Sequence, residues 1–367
     1  MAKAIVDFNQ QLEDLAALYP EIQVLDEEGQ VVNEDYLPEL SDEEMVELMT
    51  LMVQARTLHE RSIALSKQGR LGFYAPTFGQ EASQIASSFA FTTDDWLFPG
   101  YRDVPQMVAK GYPLSKAFLW SRGHEDGNVY EEGFNAMPPQ IIIGAQLIQA
   151  MGCAVGQKLK GDQAVTYTYT GDGGSSQGDS YEAWNYAGRY QAPIVFIIQN
   201  NGYAISTPRE KQTAAHTLAQ KAAAAGIPGV QVDGNDALAV YAVAKQAREW
   251  ALAGHGPVFI ETVTNRLGAH STSGDNPKLY RTEEDIEAWT AREPLIRFRK
   301  YLTEKGLWDE QKEEKIIADY KEKIKAGIEE AEAAPKQKVS GFLKNMYEEP
   351  GQDIVEQIEI YEEKERS

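Results

Sequence analysis

Residues 170–203 read TGDGGSSQGDSYEAWNYAGRYQAPIVFIIQNNGY, and this stretch decides the fold. Upstream, residues 163–170 (QAVTYTYT) form a β-branched and aromatic run that suits a pleated surface and stops at Gly171-Asp172-Gly173. After Gly178, Tyr181, Ala183, Trp184 and Ala187 share a segment free of proline and internal glycine up to Gly188, which predicts a helix. Pro193 then opens the apolar run Ile194-Val195-Phe196-Ile197-Ile198, the signature of a strand buried on both faces, and Gln199-Asn200-Asn201-Gly202 closes it. Strand, helix, strand is a βαβ unit, whose strands run parallel through a right-handed crossover. Asp172 and Asn201 therefore reach the same sheet edge, where open α/β sheets bind ligands. A carboxylate and an amide oxygen suit a hard cation, Mg²⁺ or Ca²⁺, and the glycines, Gly173 and Gly174 among them, let backbone approach a phosphate. Each motif alone is a common turn. Together, at the ends of two strands of one unit, they supply complementary ligands, and magnesium bridging a diphosphate uses them all.

On these residues the chain resembles the thiamine-diphosphate enzymes of the transketolase-like group. Through Gln177-Gly178, Glu182-Ala183, Asn185, Pro193 and residues 203–207 (YAIST) it is similar, more narrowly, to the alpha subunits of the 2-oxo-acid dehydrogenase family in its pyruvate-using branch. The likeness runs roughly from Leu40 to Leu307. It implies a doubly wound, mostly parallel α/β sheet with helices on both faces, the thiamine-diphosphate-binding fold, with helical N- and C-terminal extensions. The expected division is an arm over 1–40, the cofactor-binding domain over 41–307 and a helical extension over 308–367.

Composition bounds the function. The chain of 367 residues is 43% apolar and can bury a substantial core, while its net charge of −21 argues against nucleic acid or an anionic membrane as partner. The one cysteine, Cys153, has no internal disulfide partner, and no apolar run has the length of a membrane span. The N-terminal MAKAIVDFN lacks the apolar segment of a signal peptide, so cytoplasm is the expected compartment.

Outward from the central stretch, Ser41-Asp42-Glu43-Glu44 reads as a capping box opening a helix through Met45, Leu48, Met49, Met52 and past Leu58, with the methionines as core packing. Residues 70–76 (RLGFYAP) form a loop that, by the resemblance, borders the substrate pocket; Ala75 stands where many pyruvate-specific relatives carry histidine. Arg102, beside Tyr101, reads from the sequence as a surface ion-pair former or as a fork for phosphate oxygens; the resemblance matches the pair to a cofactor-binding one. Residues 139–157 are small and nearly uncharged and predict a fully buried helix, at whose entry the resemblance puts the backbone of Ile141 and Ile143 against the aminopyrimidine ring. A second βαβ pattern follows, with a strand at 229–232, a cap at Asp233-Gly234-Asn235-Asp236, a helix over 237–253 and a strand over 257–264 that delivers Arg266 and His270 to the same edge. The five histidines lack metal-ligand spacing. Residues 283–307 and 309–334 predict helices stopped by Pro335, and the tail beyond reads as a packing or interface appendage.

By the resemblance, Asp172, Asn201 and the carbonyl of Tyr203 hold Mg²⁺, Ile205 wedges between the two rings of the cofactor, and Arg266 meets the diphosphate or reaction centre. His270 moves a proton or positions the lipoyl sulfur. The loop over 271–282 orders over the site and makes Tyr280 and Arg281 catalytic as well. Asp179 and Glu182 read either as part of an acidic path between paired sites or as acids favoured at a helix start. In this group a glutamate from a second α/β domain activates the far pyrimidine nitrogen, and this chain has no room for another such domain. The expectation is an α2β2 heterotetramer with a beta subunit, docked on a dihydrolipoyl acyltransferase core. Its reaction is oxidative decarboxylation of pyruvate with reductive acetylation of a lipoyl group. The rivals are branched-chain 2-oxo-acid or acetoin dehydrogenase alpha subunits and, from another class, a non-catalytic scaffold subunit.

Overall fold

Alternation along one strand builds both layers of the molecule. In the computed structural model, which describes residues 6–366, Ile194–Asn200 is buried along its whole length. Successive side chains of a strand point to opposite faces. Val195 and Ile197 enter a core with Met45, Leu48, Met49, Met52 and Ala237–Ala251 residues, whereas Ile194, Phe196 and Ile198 enter another with Leu147, Ala150, Ala154, Ala183 and Trp184. The apolar run is therefore covered on both sides, as a parallel sheet requires.

Six strands make this sheet: β1 (Glu21–Ile22), β2 (Trp96–Phe98), β3 (Thr166–Gly171), β4 (Ile194–Asn200), β5 (Gly229–Asp233) and β6 (Val258–Val263), in the order β1-β5-β6-β4-β3-β2. Every pairing is parallel. Helices α2 (Asp42–Lys67) and α5 (Ala237–Leu252) cover one face, α3 (Ala145–Lys160) and α4 (Gly178–Tyr190) the other. The expected doubly wound α/β architecture is present. The capping box forms as read, with Glu44 N donating to Ser41 Oγ (3.2 Å) and Ser41 N to Glu44 Oε2 (2.8 Å).

The N-terminal segment departs from an unpatterned arm. Residues 1–5 of it lie outside the described residues. Beyond them come helix α1 (Phe8–Ala17) and β1, whose Glu21 and Ile22 pair with Gln231 and Val232. Two residues are too few for a period-two signal, so the strand had no sequence mark. The segment is held through Asp236. One carboxylate oxygen accepts from Val24 N (2.7 Å) and Leu25 N (2.6 Å), and the other caps α5 through Leu238 N and Ala239 N. Burial pushes this carboxyl up to about 6.

Residues 139–157 also differ from the expected single buried helix. Helix α3 begins only at Ala145, after Gly144 in the left-handed region at φ +87°, and residues 139–143 are loop. Ile141, Ile142 and Ile143 are 57%, 69% and 42% exposed. An apolar triplet signals burial to a sequence reader, but among the described residues these side chains stay largely open.

At the C-terminal side, the expected helical stretch 283–307 is broken into Glu283–Ala291 and α6 (Pro294–Glu304), because Glu293 caps and Pro294 starts a new helix, whereas α7 (Glu310–Ala333) follows the predicted pattern. Tyr320, Ile324 and Ile328 of α7 pack with Leu58, Leu65 and Phe118. Short helix Val339–Lys344 and helix α8 (Gln352–Arg366) pair through Ser340 and Glu365. Among the described residues no helix is long and apolar enough to cross a membrane.

Candidate active site

Register places the two motifs together. Gly171 of β3 pairs with Gln199 of β4, so Asp172 and Asn201 leave neighbouring parallel strands at one edge. There they line a cleft of roughly 420 Å³ with Tyr101, Arg102, Ile141, Ile143, Gly173, Gly174, Tyr203, Ile205, Arg266 and His270. That volume lies within the ~300–1,000 Å³ of small-molecule sites. Of the residues expected to act in catalysis or to hold cofactor and metal, all but Tyr280 and Arg281 line it, while Ala75, Asp179 and Glu182 lie outside it.

Asp172 is 2% exposed, accepts a hydrogen bond from Gln212 Nε2 (2.8 Å), and takes part in no salt bridge among the described residues. Burial raises its pKa. A buried carboxylate without a paired cation is costly, so this oxygen pair fits a bound cation. Asn201 accepts at Oδ1 from Tyr203 N (3.2 Å) and donates from Nδ2 to Gln80 Oε1 (3.2 Å). No three His, Cys, Asp or Glu side chains cluster as a metal site among the described residues. A set of one carboxylate, one amide and one backbone carbonyl lies outside that pattern and is the oxygen chemistry that Mg²⁺ takes.

Two buried arginines face these oxygens. Arg102 donates to Pro76 O (2.6 Å), to His270 O and to His270 Nδ1 (3.1 Å each). Arg266, fully buried, donates to Ile205 O (2.9 Å) and Tyr280 Oη (3.0 Å), and its Nη1 lies 3.5 Å from His270 Nδ1. A guanidinium only donates, so Nδ1 of His270 accepts and the ring proton sits on Nε2. Burial first, then Arg102 and Arg266, push His270 down to about 4, which leaves it neutral near pH 7. Its backbone N donates to Asp275 Oδ2 (2.5 Å).

Two observations single out the rim. Ile205 has φ +57° and is 54% exposed. A β-branched residue in the left-handed region is strained, and such strain gathers at functional sites. Gln146 donates to Tyr169 O (2.7 Å), while its buried Oε1 has no partner among the described residues, so the cleft offers a free acceptor to a ligand donor.

The glycines of this turn line the cleft and are also required by packing. A Cβ on Gly174 would lie 1.9 Å from Thr170 Oγ1, and one on Gly173 would lie 2.7 Å from Ala204 Cβ. Close packing within the protein already demands them. The turn they form is pinned from behind by Lys221, whose Nζ donates to Ser175 O (2.7 Å) and Ser175 Oγ (2.9 Å).

Tyr280 and Arg281 stand behind Arg266. Tyr280 Oη donates to Asp275 Oδ2 (2.7 Å), and Arg281 donates to the Arg266 carbonyl with its guanidinium 4.7 Å from the Tyr203 ring centre. Asp179 and Glu182 are exposed at the start of α4, and Ala75 is buried while Phe73 lines the cleft. Sequence reading missed Asp103, Gln80, Gln146 and Gln199, which also line it. Glutamine carries no motif signal; the one available clue was Gln199 directly preceding Asn200-Asn201.

Comparison with known proteins places the chain in a family. The dehydrogenase E1 component family matches residues 49–340. The chain is 58% identical over 354 residues, covering 96% of each partner, to proteins named pyruvate dehydrogenase E1 component subunit alpha from Staphylococcus aureus and from Staphylococcus epidermidis.

Proposed function

The chain belongs to the dehydrogenase E1 component family, and from that premise we propose that it is the diphosphate-holding chain of a pyruvate dehydrogenase. The enzyme decarboxylates pyruvate oxidatively and passes the acetyl unit to a lipoyl group. Thiamine diphosphate dependence comes with the family, as does a complex with a beta subunit and an acyltransferase core. An α2β2 arrangement is our reading of that complex, and cytoplasm of its location.

Thiamine diphosphate, when bound, supplies the carbanion stabilisation that lets a 2-oxo acid lose CO2. The residues of this chain hold and shield it. Asp172, Asn201 and the Tyr203 carbonyl take Mg²⁺, which neutralises the otherwise unpaired buried carboxylate. Tyr101, Arg102 and Arg266 offer donors to diphosphate oxygens, with Gly173 and Gly174 shaping the turn beneath. Ile141 and Ile143 present backbone at the cleft mouth, and Ile205 projects from its strained position into the cleft. His270, neutral with its proton on Nε2, can give that proton to a developing anion or hold an acceptor in place. Tyr280 and Arg281 hold Arg266 and the loop after it, which makes them positioning residues.

One observation carries this reading: a buried Asp172, in no salt bridge among the described residues, and an oriented Asn201 end adjacent parallel strands in a cleft shared with two buried arginines. Calorimetric titration of the chain with its beta partner tests it. Asp172→Ala removes a charged ligand and weakens Mg²⁺–thiamine diphosphate binding by about 2–5 kcal/mol, while His270→Ala leaves binding intact and removes turnover. Equal loss of binding in both variants contradicts this division of labour.

A further inference from the structure

A chain of buried amides runs from Asp103 to Asn201. Asp103 accepts at Oδ2 from Gly100 N (2.7 Å) and at Oδ1 from Gln106 Nε2 (2.9 Å) and Gln199 Nε2 (2.6 Å). Gln199 Oε1 accepts from Gln80 Nε2 (3.3 Å), and Gln80 Oε1 accepts from Asn201 Nδ2 (3.2 Å). All four residues are buried, from 0% exposed at Gln80 to 6% at Asn201. They come from three separate parts of the chain, namely the loop after β2, the turn before residue 81, and the end of β4.

Both ends of the chain have fixed polarity. A carboxylate accepting from three donors, one of them a backbone N–H, receives only the NH2 side of Gln199. At the other end, Tyr203 N can only donate, and it meets Asn201 Oδ1 at 3.2 Å. Each amide between them has one donating and one accepting side, so the orientation set at Asp103 passes through Gln199 and Gln80 to Asn201. The two ends independently demand the same orientation. Asn201 is thereby locked with its NH2 inward and its oxygen on the cleft side, with a lone pair left for a ligand.

Resting on the proposed role of Asn201 as a metal ligand, we propose that Asp103, Gln199 and Gln80 are positioning residues that hold the Asn201 oxygen toward the magnesium site. None of the three is itself one of the proposed metal ligands. Their work is to prevent the amide flip that would turn an NH2 group on a cation, the role that outer partners of metal ligands play elsewhere.

Asp103→Asn is nearly isosteric and attacks the polarity alone. With its oxygen kept on Gly100 N–H, the new NH2 faces Gln199 Nε2, and each successive amide must flip or clash until the conflict reaches Asn201. Gln80→Leu and Gln199→Leu instead cut the chain and leave the Gly100 turn intact. The readout is the Kd for Mg²⁺, by calorimetry at saturating thiamine diphosphate, of the full chain with its beta partner, alongside the unfolding midpoint without metal. The expected result is a Kd weakened on the order of 10-fold in each folded variant. Asp103→Asn combined with Gln80→Leu is expected to be no weaker than Gln80→Leu alone, because a cut chain cannot transmit the conflict. Unchanged Mg²⁺ affinity in the folded variants, or additive losses in the double variant, overturns the proposal. A wild-type protein that binds no Mg²⁺ with the cofactor overturns the ligand assignment itself; wild-type binding with unaffected variants overturns the relay alone.

Discussion

The two sides of the cleft are built on opposite principles. On the strand side, Asp172, Asn201, Arg102 and Arg266 are all 8% exposed or less, and they hydrogen-bond to Gln212, Gln80, Pro76 and Ile205 respectively. On the rim side, Ile141, Ile142, Ile143 and Ile205 are each more than 40% exposed and apolar. A protein that buries its charges and exposes its isoleucines around one cavity has finished one half of a site. Contiguous exposed apolar surface marks an interaction face. On the proposed reading, the buried strand side holds the diphosphate end and the apolar rim is the face that meets the beta subunit.

The largest effect is expected at the rim. Ile142→Asp should leave the chain's own unfolding free energy within about 0.5 kcal/mol, since the residue is 69% exposed. It should also cost ~2 kcal/mol or more in association with the beta subunit, read by sedimentation of the mixed chains. If association is untouched while the fold weakens, the rim is ordinary structure and not an interface.

A smaller effect sharpens the status of Ile205. At an ordinary position glycine is less stable than alanine by ~0.5–1 kcal/mol, but at φ +57° the left-handed penalty of ~1–2 kcal/mol reverses the order. Ile205→Gly should therefore unfold at higher denaturant than Ile205→Ala, by about 1 kcal/mol. The ordinary order would mean that no strain is stored at the rim.

A pH-dependent effect lies at the boundary between the two sides. His270 is held at about 4, below its ordinary 6.5, so as pH falls through that window the unfolded chain takes up a proton that the folded chain refuses. Stability from this source is intact above about 6.5 and declines toward pH 4. Urea unfolding at pH 7, 5.5 and 4.5 should show wild type losing stability relative to His270→Gln over the same range. A constant difference would place the imidazole away from Arg102 and Arg266.

Legibility in the sequence followed the range of the signal. The alternation and length of residues 194–198 and the Ser41–Glu44 box are local, and they yielded a parallel sheet covered on both faces. Asp172, Asn201, Arg266 and His270 could be placed at one edge because parallel strands share their C-terminal ends, which is a matter of topology. Glu21–Ile22 escaped because two residues carry no period. Ile141–Ile143 misled because apolar character was taken for burial within this chain, when the structure leaves those side chains open. Asp103, Gln80 and Gln199 escaped because their meaning lies in hydrogen bonds between positions 119 and 96 residues apart for the Gln80–Gln199 and Asp103–Gln199 links, which only the register of β2, β3 and β4 brings together. Tyr280 and Arg281 were named through resemblance, and the geometry puts them one layer behind the cleft.

The most direct measurement compares calorimetric binding of thiamine diphosphate with Mg²⁺ to this chain alone and to this chain mixed with its beta subunit. A site finished on one side predicts weak or no binding to the chain alone and tight, Asp172-dependent binding to the mixture. Equally tight binding to the chain alone would contradict the half-site account, and no binding to either would contradict the cofactor site itself.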